Sequence, residues 1–193
     1  VVGAVPIDVD EVGADFLSAD GHKWMCGPEG CGILYVRRER LAEMNDAFAG
    51  WIGRKDFLNF ERRDHPPEDT ARRFEEGALN FAGILPLGGS LGLFVDAGME
   101  YVHHRLLENR ETLISGMESL GWETISPKEE IHACGILAFR HGDQSPDRLM
   151  VALKDLRVMC VSRRGFLRFS PHFYQSVEMM HDVIEKVAQL RSK

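Results

Sequence analysis

An apolar stripe in the second half of the chain constrains its fold more than any other feature. Six apolar residues recur at helical spacing there: Met99, Val102, Leu106, Leu113, Met117 and Leu120. This spacing predicts one amphipathic α-helix of about six turns. Gly98 is expected to separate it from a preceding helix, whose apolar side would carry Leu87, Leu91 and Val95. The sequence therefore predicts two consecutive helices in the middle of the chain.

Short apolar runs of strand-forming residues lie on both sides of these helices. Ahead of them, a run from Phe16 and a second run at Ile33–Val36 flank a turn at Gly27–Gly30. Continuous apolar runs suit strands that are buried on both faces of a sheet. Behind the helices, three strands and two further helices are predicted: strands at 136–139, 158–161 and 166–169, a helix that begins at Ser145-Pro146, and a helix after Ser176. This order predicts an α/β fold.

The composition excludes several function classes. The 193 residues are 44% hydrophobic and 27% charged, with a formal net charge of −7. A nucleic acid or an acidic membrane surface would require clustered basic residues, so neither is an expected partner. Four scattered cysteines give no disulfide framework, and a cytoplasmic location is expected. Cys26 and Cys31 bracket a glycine turn without a second ligand pair, so no metal site is expected.

The most informative segment places a lysine between two predicted strands. Its residues are Ser18-Ala19-Asp20-Gly21-His22-Lys23-Trp24, followed by Gly27-Pro28-Glu29-Gly30-Cys31-Gly32. A lysine between strands and flanked by glycines is poorly explained by packing, because lysine is normally placed where its ammonium reaches water. Enclosed lysines form Schiff bases with carbonyl compounds. Lys23 is therefore a candidate for covalent chemistry, and the alternative is an ordinary exposed lysine.

Three segments in order resemble the class V aminotransferases, which include cysteine desulfurases, kynureninases and isopenicillin N epimerase-like proteins. The matching residues are Asp15-Phe16, Gly21-His22-Lys23, Gly27-Pro28 with Gly30 and Gly32, Leu34-Tyr35-Val36, Arg73-Phe74-Glu75 with Gly77 and Asn80, and Arg168-Phe169-Ser170 with Tyr174. The likeness extends over nearly the whole chain, with order and approximate spacing kept.

This resemblance implies an architecture and a cofactor. Residues 1–97 would be the C-terminal remainder of a large cofactor-binding domain, a sheet with helices. Residues 98–193 would form a long linking helix and a small C-terminal α/β domain. The implied cofactor is pyridoxal 5'-phosphate, the implied substrate is a small α-amino acid, and the implied assembly is a homodimer.

The resemblance also assigns roles to individual residues. Lys23 would hold the cofactor as an imine and then move the α-proton of the substrate. His22 and the position of Asp20 would lie at the cofactor phosphate; the alternative for His22 is a surface or packing histidine. Arg168 would bind the substrate carboxylate, which matches its planar fork of donors. The alternatives for Arg168 are a structural ion pair, or its replacement in this role by the neighbouring arginines at 163 and 164.

Three departures from the family pattern affect the expected cofactor site. Asp20 stands where relatives often carry a hydroxyl residue that contacts the phosphate, and an anionic side chain there is unfavourable unless it is bridged or points away. Ala78 stands where many relatives have a threonine that reaches the partner's phosphate. The aspartate that pairs with the pyridine nitrogen would precede Val1. We therefore expect a C-terminal part of a longer enzyme, which binds cofactor poorly by itself.

The sequence favours some reactions of this family over others. A cysteine desulfurase requires a nucleophilic cysteine on a mobile loop before the substrate arginine, and Cys160 is predicted instead to be a buried, inert thiol in the strand at 158–161. An aminotransferase-like reaction on a small α-amino acid is the leading prediction. Epimerase and C–S lyase activities stay open, because they use the same imine. A cofactor-free interaction module is the alternative from a different class.

Overall fold

A computed structural model of the chain describes residues 2–45 and 50–191. The contacts among these residues define two compact units. The first comprises Ile7–Asp96 together with Val2, and the second joins Gly3–Pro6 to residues 97–191. The assignment of residues 1–97 to a large domain and of residues 98–193 to a small domain stays a prediction.

The first unit contains a two-stranded antiparallel sheet. Strand β1 (Phe16–Asp20) pairs with β2 (Gly32–Val36), so that Asp20 lies opposite Gly32. Both predicted strands are present, but the prediction that both faces are buried is wrong. Along each strand, half-buried side chains alternate with exposed ones, and Phe16 and Leu34 are about half exposed. An antiparallel pair of this kind covers one face and leaves the other to solvent.

The rest of the first unit consists of loops, two short 3-10 helices and one α-helix. The 3-10 helices span Arg38–Glu43 and Ala71–Phe74, and helix α1 spans Phe81–Ala97. Helix α1 was predicted, but its buried side contains Leu87 and Phe94, whereas Val95 is 80% exposed. The reason is angular: seven residues bring position 94 almost back to the direction of position 87, and the eighth turns away.

The second unit surrounds a four-stranded antiparallel sheet with helices. The strands lie in the order β3-β4-β6-β5. In chain order the elements are α2 (Met99–Ser119), β3 (Glu123–Thr124), a 3-10 helix (Glu130–His132), β4 (Leu137–Arg140), α3 (Pro146–Asp155), β5 (Val161–Arg163), β6 (Phe166–Phe169) and α4 (Val177–Arg191). Among the described residues, no single helix is long and apolar enough to cross a membrane; only α1 and α2 taken together meet that test.

The core of this unit lies between the sheet and helices α2, α3 and α4. Its fully buried side chains include Phe139 of β4, Leu167 of β6 and Leu153 of α3. Ser145 begins α3 as predicted, because its hydroxyl accepts a hydrogen bond from the Arg148 N–H. Burial of these side chains removes a large apolar area from water, which is the main favourable contribution to folding.

The predicted strand at 158–161 begins later than expected. Arg157 has a φ of 62°, and the Val158 N–H donates to the Leu153 carbonyl, so these two residues end α3 instead of starting a strand. Strand β5 begins at Val161. Cys160 therefore lies in the connection between α3 and β5.

Helices α2 and α4 approach each other closely at Gly116. A methyl group at this position would lie 2.2 Å from Cδ1 and 2.6 Å from Cγ1 of Ile184. We expect Gly116→Ala to be destabilised relative to Ser115→Ala, an exposed neighbour in the same helix, by about 1–3 kcal/mol, because of overpacking. Denaturant unfolding of both variants measures the difference. Equal free energies of unfolding would show that α4 moves aside without cost.

Candidate active site

Lys23, the candidate cofactor lysine, lies in the turn immediately after β1. This turn runs from Gly21 to Met25. The Lys23 ammonium forms an ion pair with Oδ2 of Asp20, the last residue of β1. The Lys23 side chain is 63% exposed, so the expectation that it is enclosed is wrong for the described chain. Gly21 and Met25 at the two ends of the turn are buried, whereas His22 and Lys23 between them are exposed.

The glycines around the lysine have a packing function that the sequence analysis did not recognise. A methyl group on Gly21 would lie 2.7 Å from the Cys31 carbonyl oxygen, and one on Gly32 would lie 2.5 Å from the Ala19 carbonyl oxygen. Both distances are too short for any real side chain. The glycines therefore allow backbone segments on both sides of the turn to approach each other, which fixes the base of the lysine turn.

Hydrogen bonds hold the turn in place. The Gly21 N–H donates to the Cys31 carbonyl over 2.9 Å, and the Gly27 N–H donates to the Gly21 carbonyl over 2.8 Å. The Ser90 hydroxyl of α1 donates to the carbonyl of Met25, whose side chain is only 1% exposed. The lysine backbone is thus anchored, whereas its side chain is exposed and paired with Asp20.

Asn80 connects this region to the start of α1. Its side-chain amide donates to the Gly30 carbonyl over 3.2 Å, and its carbonyl oxygen accepts from the Gly83 N–H over 3.1 Å. One side chain therefore holds the glycine turn and satisfies a free N–H in the first turn of α1. This gives a structural role to an asparagine that the sequence analysis included in the family pattern.

A polar cavity of about 690 Å³ lies beside the lysine turn. Ser18, Asp20 and His22 line it from β1 and the turn, and Arg72 lines it from the 3-10 helix Ala71–Phe74. His22 itself is exposed. Lys23 is not part of the lining, but its ion-pair partner Asp20 is.

The residues at this cavity fit a phosphorylated aldehyde. A lysine amine is the group that bonds to an aldehyde, and it stands next to the cavity wall. An imidazole, a hydroxyl and a guanidinium from His22, Ser18 and Arg72 supply donors of the kind that bind phosphate. The carboxylates of Asp20 and Glu75 in the lining are poorly matched to a phosphate, and the charge of Asp20 is balanced by the Lys23 ammonium.

The ion pair changes the ionisation of Asp20. The hydrogen bond from Lys23 lowers the pKa of this carboxyl below its usual value, and the charges of Lys23 and His22 lower it further. The carboxylate is therefore charged at neutral pH. The negative charge of Asp20, which is unfavourable beside a phosphate, is thus paired with the lysine three residues later.

Arg168 occupies a central position in the second unit. Strand β6 pairs it with Ala138 on one side and Val161 on the other. Leu167 and Phe169 point into the core, so the alternation of the strand turns Arg168 to the opposite face, where it is half-buried. Its Nε is buried and has no hydrogen-bond partner, and no carboxylate in the described part of the chain forms an ion pair with it. A donor in this state is suited to an external carboxylate.

The neighbouring arginines are placed differently. Arg163 ends β5 and is exposed, and Arg164 lies in the turn between β5 and β6 with a φ of 52°. Gly165 completes this turn with a φ of 79°, as expected for a two-residue hairpin connection. Of the three candidates, Arg168 alone combines partial burial with a donor that has no partner among the described residues, because the other two lie at the exposed hairpin end.

The free cysteine ahead of Arg168 is poorly suited to attack. Burial raises the pKa of the Cys160 thiol to about 11, so little thiolate is present at neutral pH. The chain from Cys160 to Arg168 is occupied by β5, a two-residue turn and β6. No long loop exists there to carry the sulfur to a substrate.

Helix α2 contributes two polar residues that the sequence analysis missed. Asn109 is fully buried, and its amide donates to the carbonyls of His172 and Gln175 in the turn after β6. Arg110 is 4% exposed and donates to the carbonyls of Pro127 and Cys134. The signal in the sequence was the gap in the apolar stripe between Leu106 and Leu113.

Comparison with known proteins identifies the family. The sequence profile of the aminotransferase class-V family matches residues 1–171. The chain belongs to the class V aminotransferase family. Pyridoxal 5'-phosphate is the cofactor of this family, as the resemblance implied.

Curated relatives of the family carry several activities in their names. The uncharacterized aminotransferase YcbU of Bacillus subtilis is 27% identical, over 96% of this chain and 48% of its own length. The kynureninase of Geobacillus thermodenitrificans is 28% identical, over 95% and 44%. A probable cysteine desulfurase of Pyrococcus abyssi is 28% identical, over 99% and 51%. The chain thus spans about half the length of the curated relatives it matches.

Solved structures confirm the fold class. The apo cysteine desulfurase of Thermococcus onnurineus NA1 matches with a TM-score of 0.86 and 22% identity, over 98% of this chain and 50% of that protein. The cystine C–S lyase C-DES, in complex with its product cysteine persulfide, matches with a TM-score of 0.85 and 20% identity, over 96% and 49%. The predicted architecture, a portion of a class V enzyme of α/β type, is therefore present.

Proposed function

We propose that this chain carries the cofactor lysine and the substrate arginine of a pyridoxal-phosphate-dependent enzyme that acts on a small α-amino acid. The observation that carries the proposal is the anchored lysine turn beside a polar cavity, in a chain that belongs to the class V aminotransferase family. The chain spans about half the length of its curated relatives, so the family match by itself does not assign an activity to this chain, and the activity is part of the proposal.

In this proposal, each candidate residue has its own role. Lys23 Nζ would hold the cofactor covalently and would move the α-proton of the substrate. His22 contacts the phosphate, and Asp20 lies at the same end of the cofactor through its contact with Lys23. Arg168 binds the substrate carboxylate. When bound, pyridoxal phosphate withdraws electrons from the substrate's α-carbon.

Among the reactions of the family, we propose one of aminotransferase type. Persulfide formation on Cys160 is disfavoured, because its thiol is half-buried with a raised pKa and has no mobile loop. Epimerisation and C–S bond cleavage use the same lysine and arginine and stay as alternatives. The homodimer and the cytoplasmic location also stay predictions of the family likeness.

A second function is supported by one observation. The Lys23 side chain is 63% exposed, which is the property of an ordinary surface lysine. A folded interaction module that binds no cofactor would show the same geometry. Cofactor uptake separates the two, because the module would gain no near-visible absorption when pyridoxal phosphate is added.

A variant of Arg168 tests whether this residue binds the carboxylate of an amino-acid substrate. Once the chain is loaded with pyridoxal phosphate, small α-amino acids are expected to change its near-visible spectrum at concentrations at least about tenfold lower than for Arg168→Leu. The reason is the loss of a charged bidentate hydrogen bond to the carboxylate. Titration with amino acids and with the corresponding amines, which lack the carboxylate, measures this effect.

The control for this titration is Arg163→Leu, which removes an exposed arginine from the adjacent strand. It should leave the amino-acid dependence unchanged. If amines and amino acids act equally on the wild-type chain, or if Arg163→Leu has the larger effect, Arg168 is not the carboxylate-binding residue. Accumulation of the pyridoxamine form supports transamination, and racemised substrate with the aldehyde form retained supports epimerisation.

A further inference from the structure

A cavity in the second unit is lined by side chains that the proposed function does not use. Its volume is about 220 Å³, and neither Lys23 nor Arg168 is among the described residues that line it. We propose that this cavity binds a small carboxylate whose apolar body has about six to eight carbon atoms, with the guanidinium of Arg157 as its anchor. The size follows from comparison, because a dry cavity of about 150 Å³ accommodates benzene.

The interior of the cavity is apolar. Leu113 of α2, Phe169 at the end of β6 and Met180 of α4 line it, and each of these side chains is at most 4% exposed. The three residues belong to the core of the second unit. Because the walls are parts of a packed core, the cavity exists in the folded chain without rearrangement of these elements.

One wall of the cavity is formed where α3 ends. Arg157 has a φ of 62°, and the Val158 N–H donates to the Leu153 carbonyl over 2.8 Å. This closes the helix and turns the chain before β5 begins. Arg157, Val158 and Met159 all line the cavity, opposite residues of α4. The conformation of the chain at the end of α3 thus places a guanidinium beside an apolar space.

Methionines line the cavity where it opens to solvent. Met159 is 78% exposed and Met179 is 50% exposed, whereas Met180 is buried deeper in the same lining. Thioether side chains are flexible and polarisable, so they fit apolar ligands of differing shape. This lining favours a ligand with an aliphatic or aromatic body over a wholly polar one.

The charged groups at the cavity favour an anionic ligand. Arg157 and Asp182 are the charged residues among the described lining. Oδ2 of Asp182 is paired with Nζ of Lys186 over 2.6 Å. The Arg157 guanidinium, in contrast, has no hydrogen bond or ion pair within residues 2–45 and 50–191. A guanidinium binds a carboxylate through two parallel hydrogen bonds, so an unpaired one beside an apolar space matches an amphipathic carboxylate.

The cavity and the candidate substrate arginine lie on opposite faces of the sheet. Phe169 lines the cavity from the face that the helices cover, and the alternation of β6 turns Arg168 to the other face. The two sites therefore bind their carboxylates independently. A ligand of the cavity would not displace an amino acid from Arg168.

A chain-length series tests the apolar part of the proposal. The methionine methyl groups of the 193-residue chain are labelled with carbon-13, assigned by single replacement with leucine, and followed by NMR during titration with acetate, butyrate, hexanoate or octanoate. Binding should strengthen about two- to fourfold per methylene up to hexanoate, reach half-saturation at about 1 mM, and gain little beyond octanoate. The signals of Met159, Met179 and Met180 should shift, and Met25 of the first unit is the reference.

Variants of Arg157 test the carboxylate anchor. Arg157→Gln should weaken hexanoate binding about three- to tenfold and leave the binding of hexanol unchanged, because hexanol carries no charge. Arg157→Lys should give an intermediate loss, since it keeps the charge but not the planar fork. Arg148→Gln is the matched control: it removes an exposed arginine of α3 that lies outside the cavity lining, and it should change nothing. Circular dichroism confirms that each variant is folded.

Several outcomes would overturn the proposal. One is the lack of any shift at the three lining methionines with hexanoate at up to about 10 mM. Others are equal responses to acetate and hexanoate, equal binding of hexanoate and hexanol by the wild-type chain, and equal losses in Arg157→Gln and Arg148→Gln. The comparison of hexanoate with hexanol needs no variant, so it decides the question even if Arg157→Gln does not fold. These titrations use no cofactor, and their result is independent of the proposed function.

Discussion

A chain with arginine in place of Lys23 is expected to take up no pyridoxal phosphate that borohydride can fix at this position. Arginine keeps the positive charge beside Asp20, so the ion pair and the turn should be retained. Its guanidinium stays protonated at neutral pH and cannot form the carbon–nitrogen double bond. The expected result is a complete loss of near-visible absorption and of the reduced adduct on the peptide from this turn.

Lys55→Arg is the control for this variant. It removes a lysine that is also paired with an aspartate in the same unit, but that lies away from the cavity. It should retain the colour and the adduct at Lys23. If Lys23→Arg still becomes yellow, or if both variants lose the same amount of label, the pyridoxal phosphate is bound non-specifically to surface amines and the proposal of a cofactor lysine is wrong.

The largest effect on stability is expected from Phe139→Ala in β4. The Phe139 ring is fully buried, and it contacts the ring of Phe169 edge to face, with centroids 6.1 Å apart. Its removal deletes a large apolar side chain and leaves a cavity between the sheet and its helices, which should cost about 3–5 kcal/mol. Denaturant unfolding followed by circular dichroism measures this loss.

If Arg168 binds the substrate carboxylate as proposed, the same variant should also weaken substrate binding, although Phe139 itself would not contact the substrate. Phe169 follows Arg168 in β6, so loss of its ring partner loosens the strand that holds the arginine. Tyr101→Ala, which removes a ring that is 53% exposed on α2, should change stability by less than about 0.5 kcal/mol. If Phe139→Ala lowered the free energy of unfolding no more than Tyr101→Ala does, the sheet and its helices would have closed around the missing ring.

Most elements of the fold follow from local sequence patterns. The six-turn spacing of apolar residues predicted α2, and the Ser145-Pro146 pair predicted the start of α3. These signals are local, because a helical face and an N-cap are determined by residues a few positions apart. The start of β5 was predicted too early, because Val158 serves to close α3, and an apolar residue in a helix end looks the same as one in a strand.

The candidate site was only partly predictable. The order of the lysine, the arginine and their flanking residues identified Lys23 and Arg168 as candidates. The contact of Lys23 with Asp20 and the presence of Arg72 on the same cavity wall were not predicted, since neither follows from spacing alone. Asn109 was missed because a buried amide in an apolar stripe is visible only when its backbone partners are known.

The amino-acid sequence by itself determined the family, the helical and strand character of most segments, and the residue types that the chemistry requires. The tertiary structure decided which of those residues meet: it paired Asp20 with Lys23, exposed the lysine side chain, and left the buried Arg168 Nε without a partner among the described residues. The physical reason is that these interactions connect residues at different separations along the chain. Helical periodicity and caps act over a few residues, whereas burial, ion pairing and close glycine contacts depend on segments that the chain brings together only when it folds.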